Sequence, residues 1–213
     1  MSDAAAHEFQ FASAEHQRET AISGIWLFLA TEALFFGPIF LAWIYARFAD
    51  PGAFDAAARR TALMIGLTNT ALLIASSFAY GVGMAFIGLG RRRGMVIALL
   101  IAGALGAAFL GLKFGVEWQM DLKEGLFPGA NFAIQGPARS GAQLFFAFYF
   151  FSTALHGLHL VVGLGLIAWI ILSAKQFTAE RHTPVRVIGL YWTFVDIIWL
   201  ILFPLIYLIG RAT

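Results

Sequence analysis

The chain has 213 residues, of which 60% are apolar and 12% charged, with a net charge of +2 and no cysteine. Such a composition, with its strongly positive mean hydropathy, excludes an ordinary soluble domain. The missing cysteines exclude a disulfide framework and a thiolate metal site, and the cations are spread over short connections without a cluster suited to a nucleic acid.

A bilayer core of about 30 Å is crossed by roughly 20 apolar residues in a helix. Five stretches are long enough, which predicts an all-α polytopic membrane protein: a bundle of five transmembrane helices in a single membrane domain over residues 22–210. Residues 1–21 carry Asp3, Glu8, Glu15 and Glu19 against Arg18, the wrong charge for the start of a signal peptide. They are expected to form a polar, mobile N-terminal segment, and the run that follows is expected to remain as the first helix.

That first span, about 22–46, is interrupted only by Glu32. The second, about 62–90, holds no charge, and the third, about 95–118, is clean until Lys113 and Glu117. Pro128, Gly129, Gly136 and Pro137 then mark a surface loop over 119–140. The fourth span, about 141–174, is the longest uncharged run, includes His156 and His159, and is expected to tilt or project beyond the lipid. The fifth, about 187–210, carries Asp196 and ends near Pro204.

Loop cations are nearly balanced between the two sides, but the Arg91, Arg92, Arg93 triplet occupies a tight turn, where the positive-inside rule is strongest. The N-terminus is therefore placed in the cytoplasm. Small residues recur at Gly103, Gly106, Gly111 and Gly115 of the third helix and at Gly157, Gly163 and Gly165 of the fourth, as expected where helix backbones approach closely. No inverted repeat of the transporter kind is present.

A charge within a span costs about 2.5 to 3.5 kcal/mol on insertion scales, so each requires a partner, a neutral form or water. Lys113 and Glu117 lie four apart and are expected to pair locally near the membrane boundary. Glu32 has no charged neighbour at helical spacing; an interhelical hydrogen bond, proton exchange and contact with a lipid headgroup all remain open. Trp192, Asp196, Trp199 and Phe203 form an aromatic stripe, which turns Asp196 toward protein to accept hydrogen bonds from another helix. His156 and His159, at i and i+3, have a spacing that suits a metal, but two imidazoles leave zinc or iron half-ligated. They are expected as buried histidines bonded between helices. No set of groups assembles a redox centre or a nucleophilic site.

The run Phe148-Tyr149-Phe150-Phe151-Ser152-Thr153-Ala154-Leu155-His156-Gly157-Leu158-His159, followed by Gly163, resembles the signature of haem-copper oxidase subunit III. Leu29-Ala30-Thr31-Glu32-Ala33-Leu34-Phe35-Phe36 is similar to that family's first-helix motif, and Glu117-Trp118 to its Glu-aromatic pair. Tyr191-Trp192-Thr193-Phe194-Val195-Asp196-Ile197-Ile198-Trp199 resembles its closing motif, with Thr193 where the family usually has histidine. The motifs fall in order over four of the five helices, as in the short bacterial form.

The resemblance implies a non-redox chain in the bacterial inner membrane, with haem and copper on companion subunits I and II, oxygen reduced to water and protons pumped. It implies bound phospholipid, Glu32 as a buried cleft carboxylate beside Thr31, Phe35 and Phe36, and His156, His159, Glu117 and Asp196 fixing packing and lipid contacts. Cytochrome c is the expected donor. A quinol oxidase, a nitric oxide reductase accessory subunit and, more distantly, a small transporter with Glu32 and Asp196 as coupling carboxylates are the alternatives.

Overall fold

The computed structural model describes residues 13–211. The described chain is helical and without strands, and five of its helical segments are long and apolar enough to cross a membrane: Glu15–Ala49, Leu63–Gly88, Arg92–Lys123, Arg139–Leu172 and Thr183–Leu208. Of the polar lead read over 1–21, residues 1–12 lie outside the described residues. Its remainder is helical, because Ser13 caps the first helix by accepting from the backbone N–H of His16 at 3.1 Å.

Helix α1 (Ala14–Ala49) therefore starts well before the apolar run. A short helix α2 (Pro51–Ala58), which hydropathy did not reveal, follows; Asp50 caps it through Ala53 N–H at 3.1 Å, and Pro51 supplies a preset first turn. Its Phe54, Ala57 and Ala58 are fully buried. Helix α3 (Leu63–Gly88) buries Gly66, Asn69, Leu73, Ser76, Tyr80, Gly83 and Ile87, a stripe at steps of three and four. It turns tightly into α4 (Arg92–Leu110), which widens into a π-wound turn over Gly111–Glu117 before α5 (Trp118–Lys123) completes the third span. Helix therefore continues into the segment read as loop, and the loop proper runs over 124–138. Gly136 adopts φ +80°, a left-handed turn that suits glycine.

Helices α6 (Arg139–Leu172) and α7 (Thr183–Phe203) supply the last two spans, and α7 ends in a second π-wound turn, Pro204–Leu208. Pro204 has no N–H to give the ladder and its ring crowds the preceding turn, which accounts for the widening there.

Helices α3, α4, α6 and α7 pack on one another, while α1 leans on α6 and α7 from outside and α2 rests against α6. The glycines expected to mediate packing divide into two groups. A Cβ on Gly106 or Gly163 would stand 2.8 Å from the Trp192 ring, and one on Gly157 would stand 2.4 Å from Phe114. Trp192 is thus clamped between two glycine notches on α4 and α6. Gly111, Gly115 and Gly165 face open space, and Gly103 makes ordinary contact with Ile167 and Leu164.

The Arg211 guanidinium donates to the carbonyls of Ala58, Arg59 and Thr61 at 3.1, 3.1 and 2.5 Å, tying the end of the chain to the end of α2. Arg47 pairs with Asp55 at 2.7 Å, fixing α2 against α1.

Replacing Gly163 by Leu should lower stability by about 1–3 kcal/mol through overpacking against Trp192, whereas Gly165→Leu should leave it nearly unchanged. Thermal unfolding of the two purified variants in detergent separates these outcomes.

Candidate functional site

Several polar constellations lie among the described helices. The first is a cluster at the π-wound turn. The widened backbone carries Lys113 and Glu117 inward, both fully buried, with Lys113 Nζ 3.0 Å from Glu117 Oε2. The lysine also donates to the hydroxyls of Tyr149 on α6 and Tyr207 in the second π-wound turn, at 3.0 and 2.7 Å.

Each tyrosine passes its own proton onward: Tyr207 to Glu117 Oε1 at 2.6 Å, and Tyr149 to Asp121 Oδ2 at 2.5 Å. The Tyr149 and Tyr207 rings lie 4.3 and 5.3 Å from the ammonium, adding cation–π attraction.

The expected local pair between Lys113 and Glu117 is present, and it has more partners than its spacing indicates. It is buried in the packed interior as part of a five-residue network, in which two tyrosines and a second carboxylate complete its hydrogen bonds. The i,i+4 spacing identified the pair; the partners on distant helices gave no local signal. Asp121, Tyr149 and Tyr207 were accordingly missed as members.

The second constellation joins α1 to α6. His159 Nε2 lies 3.0 Å from Glu32 Oε2, and His159 Nδ1 lies 2.8 Å from the carbonyl of Leu155. A carbonyl only accepts, so Nδ1 carries a proton and donates it. Nε2 then either donates to a carboxylate or accepts from a protonated Glu32. Both arrangements place one proton between the two side chains and leave the pair neutral overall.

This interhelical bond resolves one of the alternatives left open for Glu32. Phe36 packs on the imidazole at 5.3 Å between ring centroids, and Tyr191 on α7 donates to the His159 carbonyl at 3.0 Å. The pair retains 16% and 18% of its side-chain surface, so it is partly open and is not sealed in the core.

The two histidines part company. His159 is bonded between helices as expected, whereas His156 has no hydrogen-bond partner at either ring nitrogen. It is held by rings: Phe109 at 5.4 Å edge-on and Trp199 at 5.2 Å. Both imidazoles line one narrow crevice with Phe36, Phe194, Val195 and Ile198. No group of three or more candidate metal ligands occurs among the described residues.

On α7, Asp196 accepts from the Ser77 hydroxyl of α3, the role expected for it, and Trp192 donates to Ser76 at 3.2 Å. Ser76 in turn donates to the Ala102 carbonyl at 2.8 Å, so three helices share one chain of hydrogen bonds. Thr193 points outward and is exposed. The substitution at that position thus falls on the outer face of α7, away from the Asp196 contact.

Replacing Lys113 by Met leaves Glu117 buried without its cation and should cost about 3–5 kcal/mol. The double variant Lys113→Met with Glu117→Met should cost markedly less than the two single changes summed, as a double-mutant cycle of unfolding temperatures reads directly.

The cytochrome c oxidase subunit III family model matches residues 8–211. Cytochrome c oxidase subunit 3 of Thermostichus vulcanus is 32% identical over 193 residues, which cover 89% of this chain and 88% of that one. Cytochrome bo(3) ubiquinol oxidase subunit 3 of Pseudomonas aeruginosa is 30% identical over 196 residues, covering 89% and 85%. In Aeropyrum pernix, a heme-copper oxidase subunit I+III is 28% identical over 197 residues, 88% of this chain and 22% of that protein. With the five apolar spans and the motifs in place, the chain belongs to the cytochrome c oxidase subunit III family of haem-copper oxidases.

Proposed function

We propose that this chain is the non-redox subunit of a proton-pumping respiratory oxidase that reduces oxygen to water. In this reading it supports assembly, holds phospholipid and sustains proton uptake by the catalytic subunit. Haem and copper reside on companion subunits I and II, and this chain holds neither. The Aeropyrum pernix relative, in which subunits I and III form one chain, supports direct packing against subunit I.

The observation that carries the proposal is the Glu32–His159 bond, which holds one shared proton between α1 and α6 where both side chains stay partly exposed. An acid–base pair that stays neutral tolerates the membrane interior. Being partly open, it can exchange its proton with a group brought close by a lipid or a neighbouring subunit. Thr31 donates its hydroxyl to the Phe28 carbonyl one turn back at 2.7 Å, so it rigidifies α1 beside Glu32 and is not itself a partner in the pair.

Cytochrome c is the proposed electron donor, supported by the 32% identity to a cytochrome c oxidase subunit. Quinol is the second reading, supported by the Pseudomonas aeruginosa relative and by quinol oxidase subunit 3 of Bacillus subtilis, 28% identical over 213 residues. The proposed location is the bacterial inner membrane with the N-terminus in the cytoplasm. Its support is the basic end formed by Arg91, Arg92, Arg93, Lys175, Arg181 and Arg186, where α3 and α6 finish and α4 and α7 begin.

Replacing Glu32 by Ala should leave haem content and the initial rate of oxygen consumption intact but shorten sustained turnover, and His159→Ala should do the same. Oxygen consumption followed over many turnovers checks this; an unchanged time course in both variants contradicts it. The donor follows from which of reduced cytochrome c and reduced quinol the purified complex oxidises.

A further inference from the structure

The turn between α3 and α4 is built tightly. Gly90 has φ +72°, and the N–H groups of Gly90 and Arg91 donate to the carbonyls of Ile87 and Phe86 at 2.9 and 2.8 Å. This is the double bond of a Schellman cap, and the left-handed residue it requires is a glycine. The cap fixes where the chain emerges, so that Arg91, Arg92 and Arg93 follow in immediate succession at the mouth of a cavity of about 600 Å³.

The opposite wall comes from the connection between α6 and α7, through Phe177 and Thr178, and the lining includes the fully buried Ile87. No Asp or Glu lines this cavity. The three guanidinium groups are exposed and make no hydrogen bond or ion pair with another described residue. Elsewhere Arg47, Arg59, Arg139 and Arg211 each have partners within the chain.

We propose that this cavity binds the phosphate of an anionic phospholipid headgroup. The place and the lining of the cavity suit a lipid. The site lies where two membrane spans end, the depth at which headgroups sit. Arginine forks match phosphate oxygens in pairs. The apolar Ile87 and Phe177 beside them suit the glycerol and first acyl carbons, which a free phosphate does not carry. Basic pockets between helices on the cytoplasmic side are suited to such headgroups by the same physics. The inference rests on the reading that this chain holds phospholipid; the site is at the end of α3, whereas the Lys113 cluster includes Tyr207, which packs on Gly66 near the start of that helix.

The test uses the full chain, tagged, with whatever purifies with it, in vesicle-derived nanodiscs of phosphatidylcholine containing phosphatidylglycerol. Native mass spectrometry after a mild detergent wash reads the phosphatidylglycerol retained. The wild type should retain it in preference to phosphatidylcholine, and each change of Arg91, Arg92 or Arg93 to Gln should weaken retention about fivefold. Since removing cations also bears on membrane orientation, Thr178→Trp is the second variant: it fills the cavity with all three charges kept, and should also lose the lipid. Equal retention by the wild type and by Thr178→Trp overturns the proposal. So does full displacement by millimolar inorganic phosphate, which makes this a free-anion site, and so does a variant that sheds a partner chain with its lipid complement unchanged, which makes the face a protein contact.

Discussion

A lysine ammonium placed in the dry interior of a helix bundle is the constraint around which this molecule is arranged. Lys113 is fully buried, so each donor it carries needs an acceptor within the bundle. Glu117 supplies the opposite charge from its own helix, and Tyr149 and Tyr207 supply hydroxyls from two others. To bring those groups together the third span opens into a π-wound turn and the last span does the same below Pro204. Two local departures from α-helical geometry thus serve one electrostatic requirement, and they tie the third, fourth and fifth spans at a single point.

The remaining polar groups follow the same logic on a smaller scale. Ser76, Ser77, Trp192 and Asp196 join α3, α4 and α7, and the glycine notches at Gly106 and Gly163 let the Trp192 ring reach its acceptor. In lipid, apolar side chains gain little by leaving the acyl chains for one another, so close packing and interhelical hydrogen bonds determine the bundle. Helix α1 stands apart from this arrangement. Most of its surface is uncovered, including Trp26, Leu27, Leu34, Tyr45 and Phe48, and its polar tie to the bundle within the span is the Glu32–His159 bond. That bond is therefore both a fastening and a place where a proton is held near an open face.

Much of this was legible in the residues. The five spans follow from uncharged runs of sufficient length, and the inward direction of Asp196 follows from the aromatic stripe around it. The Lys113–Glu117 pair follows from its spacing. Its burial does not, because depth in the bundle is decided by Tyr149 and Tyr207, which are indistinguishable by pattern from the aromatic residues around them. Glu32 was marked by its isolation, yet its partner lies 127 residues away on a helix that offers two histidines. Nothing in the spacing of His156 and His159 says that one meets a carboxylate and the other meets only rings. Helix α2 was missed because its eight residues are small and weakly patterned, and the helix ends ran past the apolar limits because caps such as Ser13, not hydropathy, terminate a helix.

We propose that this chain works only within an oxidase whose redox centres lie on other subunits. Purification through a tag on this chain in mild detergent, with an absorbance spectrum and mass spectrometry of the accompanying proteins, tests it most directly. Haem bands together with a large multi-helix catalytic subunit are the predicted result. A colourless protein that purifies alone would contradict it.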